Sequence, residues 1–524
     1  MKSLLLFFCL SFCFLFQTLS QPIWPGSYEY YVHNLEIASL DTVEEISRHL
    51  SSFYQIDFEE SFSLLDINSI SYFNSNYPRS WNDGPVWVGK GITQEIRGGF
   101  SIFSKHVFLT FAPTVYFSQN RSYDLAEINA LKNTNNYQFR KMAGSSADID
   151  FVQRYGNDSF FKFHLGQSSL DFKFGSFVTG ISTQNFTLGP ARVNHLIMSN
   201  GGAGFPFIHF GTNDKINIKI KDLDLGHIEP FLYYGLLRES EYFDDNNTNN
   251  SRYINGLSIG YEPPRLNGVT LGFSRVMYTN TELFKAADLF SLLYIVDDDV
   301  KLNSKGDTIR YTGNDTFDQL ASLFLQWKLV KSQARFYLEY GKNDFDGGFR
   351  KTALEFEHNS LFTFGIEKIW KGANQKRYSI LYEHTQLTFY KNYIYRLTNS
   401  AYTHTVNKQG YTHQGQLLGP GIGPGSISNY LGIKMFQNEW YMGMSLQRVK
   451  FDEDYFLTQI PNIPDKKFQH DIEYSLGLDL MKQKGKIGWG IQTLISYRFN
   501  TYFISYNDMT NLNLQFSLTY NLAD

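Results

Sequence analysis

The residues in this chain with the widest chemical reach lie in segments rich in glycine, asparagine and proline. Gly189-Pro190 leads into Arg192, Asn194 and His195, and Ser199-Asn200 follow. An arginine carries five donors in a fixed fork, which suits a carboxylate such as that of an acidic sugar. An asparagine offers a donor and an acceptor together, which suits adjacent hydroxyls. A Gly-Pro pair ordinarily marks a turn, so Gly189 and Pro190 serve either as a turn alone or as the scaffold of a binding loop. Arg192, Asn194 and Asn200 either contact a ligand or tie their loop into the interior. A second segment holds Asn82-Asp83-Gly84-Pro85 and Trp87. Asp83 and Trp87 form either a polar contact with a stacking platform, or a turn followed by an aromatic at a membrane interface. The third segment runs from Tyr411 through His413 to Gly425-Ser426, and His413 joins the contact candidates.

Catalysis fits these residues poorly. His195 and Ser199 are four apart, but no Gly-x-Ser-x-Gly elbow surrounds the serine. Closeness in sequence does not make a triad. His404 and His413 have no carboxylate at a metal-binding spacing, and the glycines at 419–425 lack the Gly-Lys-Ser ending of a phosphate loop. We expect no enzyme activity, no metal and no cofactor.

From about residue 97 the chain alternates with period two. Phe161-Lys162-Phe163-His164-Leu165 shows it, as do Leu170-Asp171-Phe172-Lys173-Phe174 and the final run from Leu512 to Leu522. Side chains alternate across a strand, so each segment has one apolar face and one polar or glycine face. A soluble β-sandwich alternates too. Here the segments often reach 9 to 12 residues, repeat to the C-terminus and are joined by polar loops, as in 244–251 and 297–307. These features predict an all-β fold: a closed antiparallel transmembrane β-barrel, since an open sheet edge cannot be satisfied in hydrocarbon. The spans number 16 to 19, and the preference of bacterial barrels for even numbers selects about 18. Arg335, Glu339, Glu355, Glu357 and Glu367 are expected on lumen faces, where opposite charges brace the wall or touch a ligand.

The N-terminus differs. Lys2 precedes the apolar run Leu4 to Phe16, and small residues follow up to Ser20. This is the layout of a secretory signal over 1–20, too short to span a bilayer. Both cysteines, Cys9 and Cys13, fall inside it, so the mature chain has no thiol. Val43, Ile46, Leu50 and Phe53 recur at helical spacing, which assigns 21–95 to a small periplasmic helical segment and lead-in, and 96–524 to the barrel. With 47 Lys and Arg against 51 Asp and Glu, the chain lacks the basic excess of a nucleic-acid binder.

In the three glycine-rich segments the sequence resembles the capsule assembly protein Wzi family, most specifically at Gly189-Pro190 with Ser199-Asn200. The resemblance implies an 18-stranded outer-membrane barrel that binds capsular or related exopolysaccharide. Its partners would then be surface polysaccharide, outer-membrane lipid, and the chaperone and barrel-assembly machinery. The alternative is a porin or transporter for small solutes. Long Asp/Asn-rich loops, the N-terminal segment and the ending Leu522-Ala523-Asp524 depart from the enterobacterial members and leave the glycan open.

Overall fold

The computed structural model describes residues 61–522, except 80, 127–138, 140–148, 294–299, 303–307, 311–316, 344–352, 375, 389, 396–397, 438 and 460–467. The expected signal and the helices of 21–60 lie outside the described residues. The spanning strands, in chain order, are β1 Ser61–Asn74, β2 Gly91–Phe103, β3 Val107–Phe111 with Thr114–Ser118, β4 Phe160–His164 with Ser169–Phe174, β5 Phe177–Ser182, and β6 Phe207–Thr212 with Ile216–Ile220. They continue as β7 Leu223–Arg238, β8 Ser251–Glu262, β9 Val269–Asn280, β10 Asp318–Leu329, β11 Ala334–Asn343 and β12 Ser360–Lys371. The last six are β13 Arg377–Gln386, β14 Ile427–Gln437, β15 Trp440–Lys450, β16 Ile472–Lys484, β17 Ile487–Phe499 and β18 Met509–Tyr520.

Each strand pairs antiparallel with the next. The sheet has 21 segments, and because β3, β4 and β6 are each broken in two it makes 18 strands. Closure comes from β1 against β18, where Ile67 faces Tyr520 and Asn74 faces Asn513. A sheet closed on itself leaves no unpaired edge, which is the condition for residing in lipid. The protein is an outer-membrane, multi-pass β-barrel.

The burial pattern is inverted relative to a water-soluble protein. Outward side chains are large, apolar and exposed, such as Leu446, Leu478 and Phe516, while inward neighbours such as Ser475 and Ser517 are buried. At one end the connections are tight, such as Gly175-Ser176, Lys221-Asp222 and Gly485-Lys486; at the other they are long, such as 119–159, 183–206 and 387–426. Bacterial barrels keep short turns in the periplasm, so the long loops are extracellular. Near the periplasmic end Trp440, Lys482 and Trp489 stand opposite one another on β15, β16 and β17. Lys482 Nζ sits 4.2 Å from the Trp440 ring, an aromatic girdle of the kind that marks a membrane interface.

Two expectations need correction. The barrel begins at Ser61, not residue 96, so β1 and the start of β2 occupy what was read as lead-in. A bulge between Leu65 and Asn68 breaks the alternation of β1. Its inward face is also partly apolar, with Leu65, Ile70 and Tyr72 buried. Glu355 and Glu357 are not on a lumen-facing strand. They lie in the extracellular connection before β12, which starts at Ser360.

Candidate functional site

Four extracellular connections turn inward and meet inside the barrel: 75–90, 149–159, 183–206 and 398–426. They include the glycine-rich segments, and their backbones are knitted together. The Gly84 N–H donates to the Asn200 carbonyl at 2.8 Å, and Ser199 N–H to the Leu418 carbonyl at 2.8 Å. Asn82 Nδ2 donates to the Val193 carbonyl at 3.1 Å, and the Tyr402 hydroxyl to the Leu196 carbonyl at 2.9 Å. Gln167 and Asn185 exchange amide contacts, with Gln167 Nε2 to Asn185 Oδ1 at 3.2 Å and Asn185 N–H to Gln167 Oε1 at 3.1 Å. Small residues are needed for such close passage: a Cβ at Gly204 would overlap the Thr183 carbonyl.

The apolar side chains of these loops make a second core, inside the lumen. Leu188, Leu196, Ile197, Leu417 and Tyr402 are fully or almost fully buried, and they pack in one cluster with wall residues Phe207 of β6, Tyr233 of β7, Tyr278 of β9, Leu320 of β10 and Val449 of β15. In a ring of 18 strands β6 and β15 are opposite, so packed protein crosses the diameter. A second cluster joins Val86, Trp87 and Val88 to Tyr72 of β1 and Tyr116 of β3.

Wall carboxylates hold this plug from one side. Glu383, on β13, accepts the backbone N–H groups of Arg192 at 2.7 Å, Val193 at 3.0 Å and Asn194 at 2.8 Å, and the Tyr337 hydroxyl at 2.5 Å. Three consecutive N–H groups converging on one carboxylate form an anion-holding nest. The turn that makes it passes through Gly189, whose φ is +91°. A Cβ there would collide with the carboxylate of Glu339, itself bound by the Ser322 hydroxyl at 2.7 Å. The Arg192 side chain reaches Glu367 at 3.5 Å, and Arg335 reaches the same carboxylate at 3.3 Å. On another flank Asp150 accepts the Ser240 N–H at 2.7 Å and the Gly415 N–H at 3.2 Å, while Arg252 donates to the Thr412 carbonyl at 3.0 Å.

The candidates from sequence are thus gathered where these loops meet, and each is buried or half-buried. Gly189 and Pro190 form the turn, Arg192 faces the wall, and Asn194 is buried. Asn200 joins two loops through its carbonyl. Asp83 closes a turn by accepting the Val86 N–H at 3.4 Å and interacts electrostatically with buried Arg97. Trp87 is neither an open platform nor part of the lipid girdle; its ring meets Tyr155 edge-on, 4.9 Å between centroids. His413 is buried and its Nδ1 accepts the Arg238 N–H at 3.0 Å. Burial, and then the nearby Arg252, push its imidazole down to about 3. Ser199 is committed to structure, donating to the Gly419 carbonyl at 2.6 Å and accepting the Gly201 N–H at 2.9 Å. Among the described residues no cluster of His, Cys, Asp and Glu is arranged to hold a metal. The wall anchors Glu383 and Tyr337 were not legible in the sequence, where nothing sets them apart from other strand residues.

Fold and site together define a large outer-membrane barrel whose extracellular loops fill its lumen, a class that fits a transport or binding protein. No family model and no curated protein match the chain. Among solved structures it is similar to Wzi of Escherichia coli, an outer-membrane protein involved in group 1 capsule assembly and described as a carbohydrate-binding β-barrel; identity is 13%, covering 87% of this chain and 85% of that one, with a TM-score of 0.57. It is also similar to OccK7 of Pseudomonas aeruginosa, at 9% identity over 88% of this chain and 97% of that one, TM-score 0.39. For OccAB2 of Acinetobacter baumannii the figures are 11%, 88%, 99% and 0.39. At these identities the likeness to Wzi concerns the fold.

Proposed function

We infer that the protein holds a polysaccharide at the cell surface through its extracellular face, as a sealed barrel and not as a diffusion pore. The observation that carries this reading is the packed core crossing the lumen from β6 to β15. A diffusion channel needs continuous water, whereas a binding barrel does not. The fold likeness to a carbohydrate-binding barrel supports the same reading. Above the plug the loops expose the rings of Tyr395, Phe468 and Tyr506, and such faces can cover the apolar side of a sugar ring. Each contact is weak, but a repeating polymer engages many at once. In a strain lacking the protein, total polysaccharide stays the same and a larger share is shed into the medium. Unchanged retention in that strain rules the function out.

A second reading, a channel for small solutes, has one observation in its favour. Arg335, Glu367, Lys434 and Asp479 face the lumen on β11, β12, β14 and β16, and the first two pair there at 3.3 Å. Planar-bilayer recording separates the two. The sealed barrel gives low or no conductance, and a stable large conductance from the wild-type protein replaces it with the channel.

A further inference from the structure

The outer face of β13 to β18 carries an ordered array that the plug does not use. Near the extracellular end His384, Asn429, Arg448, Tyr474, Tyr497 and Thr510 stand directly opposite one another across six neighbouring strands. They face outward, because their chain neighbours Glu383, Ser428, Val449 and Glu473 are buried toward the lumen. One row nearer the membrane centre are Tyr382, Leu431, Leu446, Leu476 and Ile495. From Asn429 to Thr510 the upper row, with the lower row beneath it, lines a groove of about 540 Å³, and His384 stands just beyond its edge beside Asn429. Its upper lip is polar: Asn429 Oδ1 accepts the Tyr382 hydroxyl at 3.1 Å and lies 2.9 Å from His384 Nδ1. Its floor is apolar.

A guanidinium on the lipid face of a barrel is costly at mid-bilayer and tolerable where it reaches headgroups. Arg448 is at that level. Eight residues of β15 separate it from Trp440 in the periplasmic girdle, which for a tilted strand is about 20 Å along the membrane normal. The Tyr474 hydroxyl takes its Nε–H at 3.2 Å, and no carboxylate among the described residues pairs with it. The occupant of a groove in this position faces the bilayer and is therefore lipid. Four strand spacings separate Asn429 from Thr510 along the groove, about 19 Å, too wide for one glycerophosphate head and suited to a disaccharide head with several chains beneath.

We propose that this groove binds the phosphorylated glycolipid of the outer leaflet. Arg448 takes a phosphate, His384 and Asn429 meet sugar hydroxyls, and acyl chains lie along Leu431, Leu446, Leu476 and Ile495. The test uses full-length protein, stripped of lipid in mild detergent and titrated with purified lipid A, bound lipid being counted by native mass spectrometry. Only the heat-modifiable, folded fraction is assayed. Arg448→Glu weakens lipid A binding by about tenfold or more, and Arg448→Gln, which inverts no charge, weakens it in the same direction. Lys482→Glu, the same charge change at the periplasmic girdle, leaves binding as in wild type. The proposal is overturned if Arg448→Glu binds like wild type, if Lys482→Glu loses as much, or if phosphatidylglycerol is retained as tightly as lipid A.

Discussion

Replacing Glu383 by glutamine tests what keeps the lumen filled. The carboxylate accepts four hydrogen bonds: three from the Arg192–Asn194 backbone and one from Tyr337. Three of the four reach Oε2, so an amide with its oxygen there keeps those three to a neutral acceptor and turns its NH₂ toward the Asn194 N–H; one bond is lost and three are weakened. Bonds to a charged acceptor contribute roughly 1.5–3 kcal/mol each, about twice a neutral one, so the lost bond and the two weakened ones from the turn make its undocking easier by about 3–6 kcal/mol. The expected absence of cysteine from the mature chain, both natural thiols being at 9 and 13, permits a clean assay. A cysteine placed at Ala191, which is 4% exposed, is labelled by a hydrophilic maleimide only when the turn leaves the wall. If opening is fast relative to labelling, the rate follows the open fraction, and 3 kcal/mol corresponds to about a hundredfold acceleration at one tenfold per 1.4 kcal/mol. Glu383→Gln should therefore label at least about a hundred times faster in a barrel that still inserts. Equal rates with and without the substitution would refute the assignment of Glu383 as the anchor.

Three further outcomes follow from the same structure. Gly189→Ala should accelerate labelling at position 191 as well, since it adds a Cβ against Glu339 at a φ of +91°; a rate unchanged from the parent contradicts the described turn. Leu514→Arg places a charge on the lipid face near mid-barrel, at a cost of roughly 2–4 kcal/mol, and should reduce the heat-modifiable fraction in the outer membrane; full insertion would contradict the facing of β18. The plug should loosen in acid. His413 is 2% exposed with its imidazole held near 3, and partly buried His195 is held near 4 by burial. Folded values below the ordinary 6.5 mean that the stability tied to neutral rings is complete above pH 6.5 and is lost as pH falls toward 3 to 4. At pH 5 the loss from His413 alone is about 2 kcal/mol. Conductance or labelling that stays flat between pH 7 and pH 4 would show that these rings do not hold the plug.

The sequence makes the lipid face legible and the lumen much less so. Leu512, Leu514, Phe516 and Leu518 alternate with polar residues because one face meets hydrocarbon and the other meets polar groups, and their strand is found where period two places it. Where the inner face packs on the plug, that contrast disappears. On β7 both inward Phe231 and Tyr233 and outward Leu232 and Tyr234 are apolar. On β1 the same effect, joined to a bulge, conceals a 14-residue strand inside the assumed lead-in. The glycine-rich segments announce tight backbone passage, and that is what they provide. Their destination is not announced, because the nest of Arg192–Asn194 and its carboxylate at Glu383 are about 190 residues apart and meet only through barrel closure. Glu355 and Glu357 show the opposite error: a spacing of two is also available to a turn.

That separation also orders the protein's biogenesis. The inserts that fill the lumen leave from between β1 and β2, β3 and β4, β5 and β6, and β13 and β14, yet their anchors reach β12, β13 and β15. Contacts so distant along the chain form late. The β5–β6 insert has no complete seat until β13 has joined the wall. On the sealed-barrel reading, a barrel whose inserts are not yet seated is an open one, and the interval between strand insertion and seating is one in which the envelope leaks. Slower seating, as in a Glu383 variant, would lengthen that interval and sensitise growing cells to large antibiotics while the mature protein remained abundant.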